Sequence, residues 1–260
     1  MPPYKLSVII PVYNQQEFIY RNMHESLKTF KKYGKNFEII LVNDGSTDRT
    51  VEEASLIKDP RLRIVSYDVN KGKGYALKHG FQCVTGNVVT FMDGDLDIHP
   101  ENVIGFFKYL DHVDMVIGSK RHPKSKVNYP LKRRFFSYVY HLFVDLLFGL
   151  DVKDTQSGLK LMKYDCLKEI LPKVLVKRFA FDLELLVNAR KSGYNIAEAP
   201  IKLTYNWGTG SMVNMNAMKG IFVDTLAIAY RLYILRYYDR KPLPTMYHEM
   251  PRQNYSAIGK

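Results

Sequence analysis

Three aspartates stand at alternate positions in TFMDGDLDIHP (residues 90–100), directly behind an apolar run: Asp93, Asp95 and Asp97. On an extended strand end, residues i, i+2 and i+4 project the same way, so the three carboxylates would share one face. Like charges held that close either raise their pKa values or gather a cation. A hard divalent ion takes oxygen ligands, and Mg2+ typically keeps one or two carboxylates together with substrate phosphates. A calcium-binding loop starting at Asp93 would need Gly at its sixth position and Glu at its twelfth, where Ile98 and Ile104 stand. A dehalogenase-type phosphatase would carry Thr or Val in place of Asp97. A solvated acidic turn is the alternative that binds nothing. The spacing favours a phosphate-bridging site for Mg2+ or Mn2+, with Asp93, Asp95 and Asp97 as the metal ligands.

Such a site needs phosphate partners. Gly72-Lys73-Gly74 opens a helical pattern, and a glycine-rich helix start with a lysine suits an anion. A turn with a solvated Lys73 is the competing reading. The segment is no dinucleotide fingerprint, because PVYNQQE after the first strand lacks the required glycines. No GxxxxGK[ST] loop is present either. A second source of cations runs from Lys120 to Arg134, a proline-punctuated stretch without one acid.

These residues need elements to place them. LSVIIPVY reads as a buried strand ended by Pro11, and Glu17 to Tyr33 as a helix closed by Gly34. FEIILVNDGSTD repeats the logic, with Asp48 as N-cap of the next helix. LRIVSY is a third strand, and NKGKGYALKHGF becomes a helix ending near Gly86. NVVTFMD is a fourth strand, Pro100 starts another helix, and DMVIGS is a fifth strand. Strands alternating with helices predict parallel β-α-β units in a three-layer α/β domain. Ligands in such domains lie at the carboxyl ends of strands, so Pro11, Asp44 and Asp93 should converge. Beyond Ser119 come an aromatic helix in FFSYVYHLFVDLLFGL, the turn KDTQSG, a helix around FAFDLELLVNARKSG, and a helical pattern over 215–238. The proline-bearing tail from Lys241 is expected to be extended or loose.

Composition narrows the partners. With 260 residues, 46% of them hydrophobic, the chain can bury a substantial core. Cys83 and Cys166 have no metal-ligand spacing and read as core thiols in a reducing compartment. Thirty-eight Lys and Arg against 26 Asp and Glu leave +12, which favours an anionic partner. Nucleic acid is disfavoured, because the basic residues cluster beside the acidic site and the aromatic helices. The start has no signal-peptide layout, and no stretch approaches the roughly 20 apolar residues of a membrane span. Asp145 interrupts one apolar run, and Asp224 and Arg231 interrupt the other. Interrupted aromatic helices with basic flanks suit in-plane attachment to an anionic membrane surface. Core packing with a homo-oligomer contact is the alternative.

SVIIPVYNQQEFI, IILVNDGSTDRT, NKGKGYALKHGF and VVTFMDGDLDIHPE, in this order and spacing, resemble a family-2 glycosyltransferase with the GT-A fold over residues 6–205. VIGSKR, LKRRFFS, DTQSGLKLM and RFAFDLELLVNARKSGYNIAEAPI narrow the resemblance to polyprenyl-phosphate sugar synthases, similar to dolichyl-phosphate mannose and glucose synthases. The resemblance implies a GT-A catalytic domain over 1–210, an amphipathic membrane-surface helix over 211–240 and a loose tail over 241–260. It implies that Pro11, Tyr13 and Asp44 hold the nucleotide's base and ribose. Asp93 and Asp95 would meet ribose and metal, with Asp97 a further metal-side ligand. Arg133 and Ser137 would grip the lipid phosphate, and Lys120 stands where an Arg is usual, with Arg121 beside it. Gln15 and Met212 depart from the family pattern where donor identity could be read, so the sugar stays open: UDP-glucose first, GDP-mannose or UDP-N-acetylglucosamine next.

The implied reaction moves a hexose, with inversion, from a nucleotide diphosphate sugar to a polyprenyl (dolichyl) phosphate at the cytoplasmic face of a membrane. Asp95, Arg133 and Lys120 are the expected catalytic residues. A phosphomonoester with a second pKa of ~6 is largely dianionic at neutral pH, so no strong base is required. Asp182 and Glu184, where other family members keep a base, would orient the basic loop or face solvent. Two rivals remain: a family-2 transferase acting on a saccharide, and a nucleotide-sugar-binding regulator without turnover.

Overall fold

The computed structural model describes residues 4–34, 36–127, 131–178, 180–203 and 215–240, the side chains of 131–136 and 215–218 excepted. The first three strands are β1 (Leu6–Val12), β2 (Phe37–Asp44) and β3 (Leu62–Tyr67). They are followed by β4 (Val88–Phe91), β5 (Met115–Ser119), β7 (Lys160–Lys163) and β8 (Ile196–Pro200). These seven form one sheet in the order β3-β2-β1-β4-β7-β5-β8. All neighbours run parallel except β7, which is antiparallel to both β4 and β5. The short strands β6 (Lys126–Val127) and β9 (Lys202–Leu203) pair separately.

Alternation along the β-branched strands divides the core. Val8 and Ile10 of β1 and Ile39 and Leu41 of β2 face α1 (Ile19–Tyr33), which offers Ile19, Met23, Leu27 and Phe30 at helical spacing. Helices α2 (Thr50–Ser55) and α4 (Glu101–Phe106) share that side. Ile9, Ile40 and Val42 face the other way, against α3 (Lys73–Phe81), α6 (Tyr164–Ile170) and α7 (Phe181–Lys191). The three-layer α/β architecture expected from the sequence is the one observed.

Local differences have local causes. β1 continues through Pro11 to Val12. The Ile9 carbonyl accepts from Met92 on the β4 side, and Pro11, two residues on, faces the same side after pairing with β4 has ended. Its missing N–H therefore costs no ladder bond. Helix α3 ends at Phe81 instead of near Gly86, and a turn carries Cys83 and Val84 into the core. The turn after KDTQSG is followed by β7, a strand not anticipated from KLMK.

Helices α5 (Leu131–Phe148) and α8 (Met215–Tyr233) pack together, with Tyr140 and Thr225 hydroxyls 2.9 Å apart. The pattern expected to run to 238 stops at Tyr233. Arg236 turns left-handed (φ 47°), and a 3-10 turn at Tyr237–Asp239 returns Tyr238 to the core. Among the described residues, no helix is long and apolar enough to cross a membrane. The expected loose tail, 241–260, and Met212 lie outside the described residues.

Glu184 ties this end together. It is fully buried, not on a solvated helix face, and accepts the N–H groups of Leu175 (2.7 Å) and Val176 (2.6 Å). It also accepts the Tyr238 hydroxyl (2.5 Å) and pairs with Arg231 of α8 at 3.0 Å. Removing one partner of a buried pair typically costs about 3–5 kcal/mol. Glu184→Ala should therefore lower the urea midpoint sharply, whereas Glu52→Ala on the exposed face of α2 should leave it nearly unchanged.

Candidate active site

At the carboxyl end of the sheet a cleft of about 500 Å3 opens, with Pro11 next to last in β1 and Tyr13 just beyond it, Asp44 as the last residue of β2, and Asp93 and Asp95 after β4 in its wall. The expected convergence is observed. Tyr13 is 45% exposed, leaving its ring free to carry a planar group.

Asp44 is 4% exposed and nearly saturated. It accepts the Tyr67 hydroxyl (2.8 Å), the backbone N–H groups of Lys71 (2.7 Å) and Gly72 (2.9 Å), and the Asn70 amide (3.1 Å). Burial and this bond raise the Tyr67 phenol's pKa. The close approach depends on Gly45, whose left-handed backbone (φ 68°) brings a would-be Cβ within 2.5 Å of the Asn70 nitrogen. Asp44 thus moulds the cleft wall at 67–72 with neutral donors.

The anion cradle expected at Gly72-Lys73-Gly74 is only partly available. Helix α3 does start there, but the Gly72 N–H is taken by Asp44 and the Gly74 N–H by the Lys177 carbonyl (2.8 Å). What faces the cleft is the Lys73 ammonium, 2.6 Å from Asp93. Burial alone would lower its pKa; the carboxylates of Asp93, Asp182 and Asp95 more than reverse that, and it is raised.

The acidic triplet is not an extended strand end. β4 stops at Phe91, Leu96 is left-handed (φ 57°), and the Asp97 N–H turns back onto Asp95 at 3.1 Å. Strand alternation therefore does not apply: Asp93 and Asp95 line the cleft, and Asp97 is not in its wall. Burial, then the neighbouring Asp93 charge, push the Asp95 carboxyl up to about 6. Asp93 is confined between Lys73 and Gly158, where any Cβ would overlap its carboxylate. Among the described residues, no three His, Cys, Asp or Glu side chains gather into a protein-only metal cage. The donor set still fits a cation completed by phosphate oxygens. Asp95 is under-compensated, and the buried Gln15 Oε1, packed over Gly94 between the two aspartates, has no hydrogen-bond partner among the described residues.

Behind Asp93 lies a pair that the sequence did not reveal. Lys160 of β7, fully buried, contacts Asp182 of α7 at 2.5 Å and also donates to the Ser157 carbonyl. Burial lowers the lysine's pKa against the opposing pull of Asp182. Burial would raise the Asp182 carboxyl, yet Lys160 and Lys73 hold it below the ordinary range. Arg178 also lines the cleft without having been singled out from the sequence; it stands in the same RFAFD run as Asp182.

The basic loop holds a second group of cations. Lys120 turns to Asp154, donating its N–H (2.9 Å) and holding its ammonium 3.7 Å away, and it lies outside the cleft wall. Arg121 reaches Ser137 in α5, donating to its carbonyl (2.6 Å) and hydroxyl (2.9 Å). Its guanidinium lies 6.0 Å from the Tyr138 ring centre. The structure thus joins Arg121 to Ser137, while the side chain of Arg133 lies outside the described residues.

Two outcomes follow. Lys160→Met strands Asp182 and should cost about 3–5 kcal/mol in urea unfolding, with most of it recovered in Lys160→Met/Asp182→Leu. Because Asp95 has a folded-state pKa near 6, above its ordinary 3.8, its ionised form is a native-state cost that appears as pH rises through 6. Asp95→Asn should therefore have a higher Tm than the parent at pH 8 without divalent ions, and the gap should close as pH falls toward 4.

Residues 7–171 match the glycosyl transferase family 2 model. A dolichyl-phosphate beta-glucosyltransferase of Trichomonas vaginalis is 31% identical over 86% of this chain and 72% of its own length. The dolichyl-phosphate beta-glucosyltransferase of Saccharomyces cerevisiae is 28% identical over 89% of this chain and 74% of its own. Among solved structures, the Mycobacterium tuberculosis glucosyl-3-phosphoglycerate synthase in complex with Mn2+, UDP and phosphoglyceric acid superposes with a TM-score of 0.68. It covers 88% of this chain and 78% of that one at 20% identity, a likeness of fold. With the family model spanning well over half its length, the chain belongs to glycosyl transferase family 2.

Proposed function

We propose that this glycosyltransferase moves a glucosyl group from UDP-glucose to a polyprenyl phosphate of the dolichyl type, with inversion at the anomeric carbon. The observation that carries the reading is a cleft at the sheet's carboxyl end lined by Asp93 and Asp95, with a separate cationic contact of Arg121 with Ser137. The names of the relatives point to the same acceptor.

In this reading the base packs on Tyr13 beside Pro11, against the wall that Asp44 holds. Asp93 and Asp95 would hold Mg2+ or Mn2+, which when bound offsets the charge developing on the departing diphosphate. Lys73 adds a cation on the diphosphate side, kept ionised by Asp93 and Asp182. Arg121 and Ser137 orient the acceptor phosphate, and Arg133 and Lys120 are read as further cations for it. A phosphate oxygen forms the new bond to the anomeric carbon as the sugar–diphosphate bond breaks, and the electron pair leaves with the nucleoside diphosphate. The acceptor is already dianionic, and Asp182, tied to Lys160, is positioned as a counter-ion and not as a free base. Asp97 supports the Asp95 loop through its backbone.

The acceptor's tail requires a membrane surface. Tyr138, Leu142 and Leu146 of α5 lie on one exposed apolar stripe that begins beside Arg121, and Val223, Leu226 and Tyr230 form another on α8. These stripes support peripheral attachment to a membrane surface, and we assign that surface to the cytoplasmic face.

The deciding assay offers UDP-glucose, GDP-mannose and UDP-N-acetylglucosamine with Mg2+ and a polyprenyl phosphate. It reads nucleoside diphosphate release together with lipid product. UDP-glucose should turn over fastest; nucleotide binding without release, or transfer to a free saccharide only, would sink the reading. Asp95→Ala should lower kcat by about 10²-fold or more, the scale of losing one transition-state charge contact. Arg121→Ala should chiefly raise KM for the lipid phosphate.

A further inference from the structure

A second cavity, about 450 Å3, lies between the β3–α3 connection, the segment 175–178 that leads into α7, and one face of α8. Four cations line it: Lys71, Lys177, Arg178 and Arg231. Two are engaged by the fold. Arg231 pairs with Glu184 and donates to the Tyr238 hydroxyl (3.0 Å), and Lys71 donates to the Tyr75 hydroxyl (3.3 Å). Lys177 and Arg178 are exposed, and among the described residues no carboxylate stands within ion-pair distance of either. The single acid in the wall, Asp224, accepts the Ala180 N–H at the start of α7; burial raises its carboxyl and Arg231 opposes that. Nearby, burial lowers the Lys78 amine to about 8, and Lys177 adds to the shift as a repelling neighbour.

Uncompensated cations on a concave wall concentrate anions, and an arginine fork with flanking ammonium groups matches phosphate oxygens. Arg178 lines both this cavity and the main cleft. We propose that this cavity is a second phosphate-binding site, separate from the nucleotide cleft and sharing Arg178 with it. The ligand chemistry is a phosphate group, supplied either as a free multivalent phosphate or as an anionic phospholipid headgroup. The site does not depend on which sugar or acceptor the cleft uses. A phosphate here and a diphosphate in the cleft would draw on one guanidinium, so each should weaken the other reciprocally.

The test is lysine acetylation of the full chain by acetic anhydride, read residue by residue by mass spectrometry at constant ionic strength. With inorganic pyrophosphate as probe, acetylation of Lys71 and Lys177 should slow several-fold, while Lys28, exposed on α1, should not change. Vesicles containing phosphatidic acid form the second arm. Protection by pyrophosphate marks a free phosphate ligand, and protection by vesicles alone marks a headgroup. Lys177→Glu, at an exposed position, should keep the parent Tm and abolish the protection of Lys71 in whichever arm showed it. Unchanged rates at Lys71 and Lys177 with both probes, equal slowing of Lys28, or Lys71 protection that survives Lys177→Glu would each overturn the proposal.

Discussion

Carboxylates gathered at one end of a buried sheet repel one another, and the chain answers with lysines delivered by other elements. Lys73 comes from α3 to Asp93, and Lys160 comes from β7 to Asp182. Each contact is shorter than 3 Å and joins two different elements, across 20 residues of chain in one case and 22 in the other. The charge balance consequently fixes how α3, β4, β7 and α7 meet. Gly158 closes the arrangement from the remaining side by admitting the Asp93 carboxylate against bare backbone. Among the described residues Asp95 has no such lysine in ion-pair contact, and its raised pKa expresses that deficit.

Asp44 shows the other way to hold a buried acid. Its oxygens are surrounded by a phenol, an amide and two backbone N–H groups, all neutral. Neutral donors stabilise an anion without adding charge to the cleft. One wall is therefore shaped by dipoles while the floor is governed by ions. That wall can be held in place without adding a cation beside the acidic floor.

Much of this was legible in the sequence because it follows from local pattern. β-branched runs gave the parallel strands, helix periodicity gave α1 and α7, and topology alone placed Pro11, Asp44 and Asp93 together. What stayed hidden depends on partners distant in the chain. KLMK carries two lysines and reads as polar; it becomes a strand because β4 and β5 offer edges on either side and Asp182 neutralises Lys160. The amides of Gly72 and Gly74 looked free for a phosphate, yet Asp44 and Lys177 supply their acceptors. The alternation assumed for Asp93, Asp95 and Asp97 failed at one left-handed residue, Leu96, which no periodicity announces.

β7 has a kinetic meaning as well as an electrostatic one. It enters the sheet between β4, about seventy positions earlier in the chain, and β5, whose other neighbour β8 comes later still. Pairings of that separation close long loops and form slowly compared with the β1–α1–β2 region. During synthesis the first four strands emerge and can associate before Lys160 exists. For that interval the sheet's centre has an open edge at β4. Completion of the sheet and the arrival of the Lys160 cation are then a single event, so a chain that has not finished folding lacks the assembled acidic floor too.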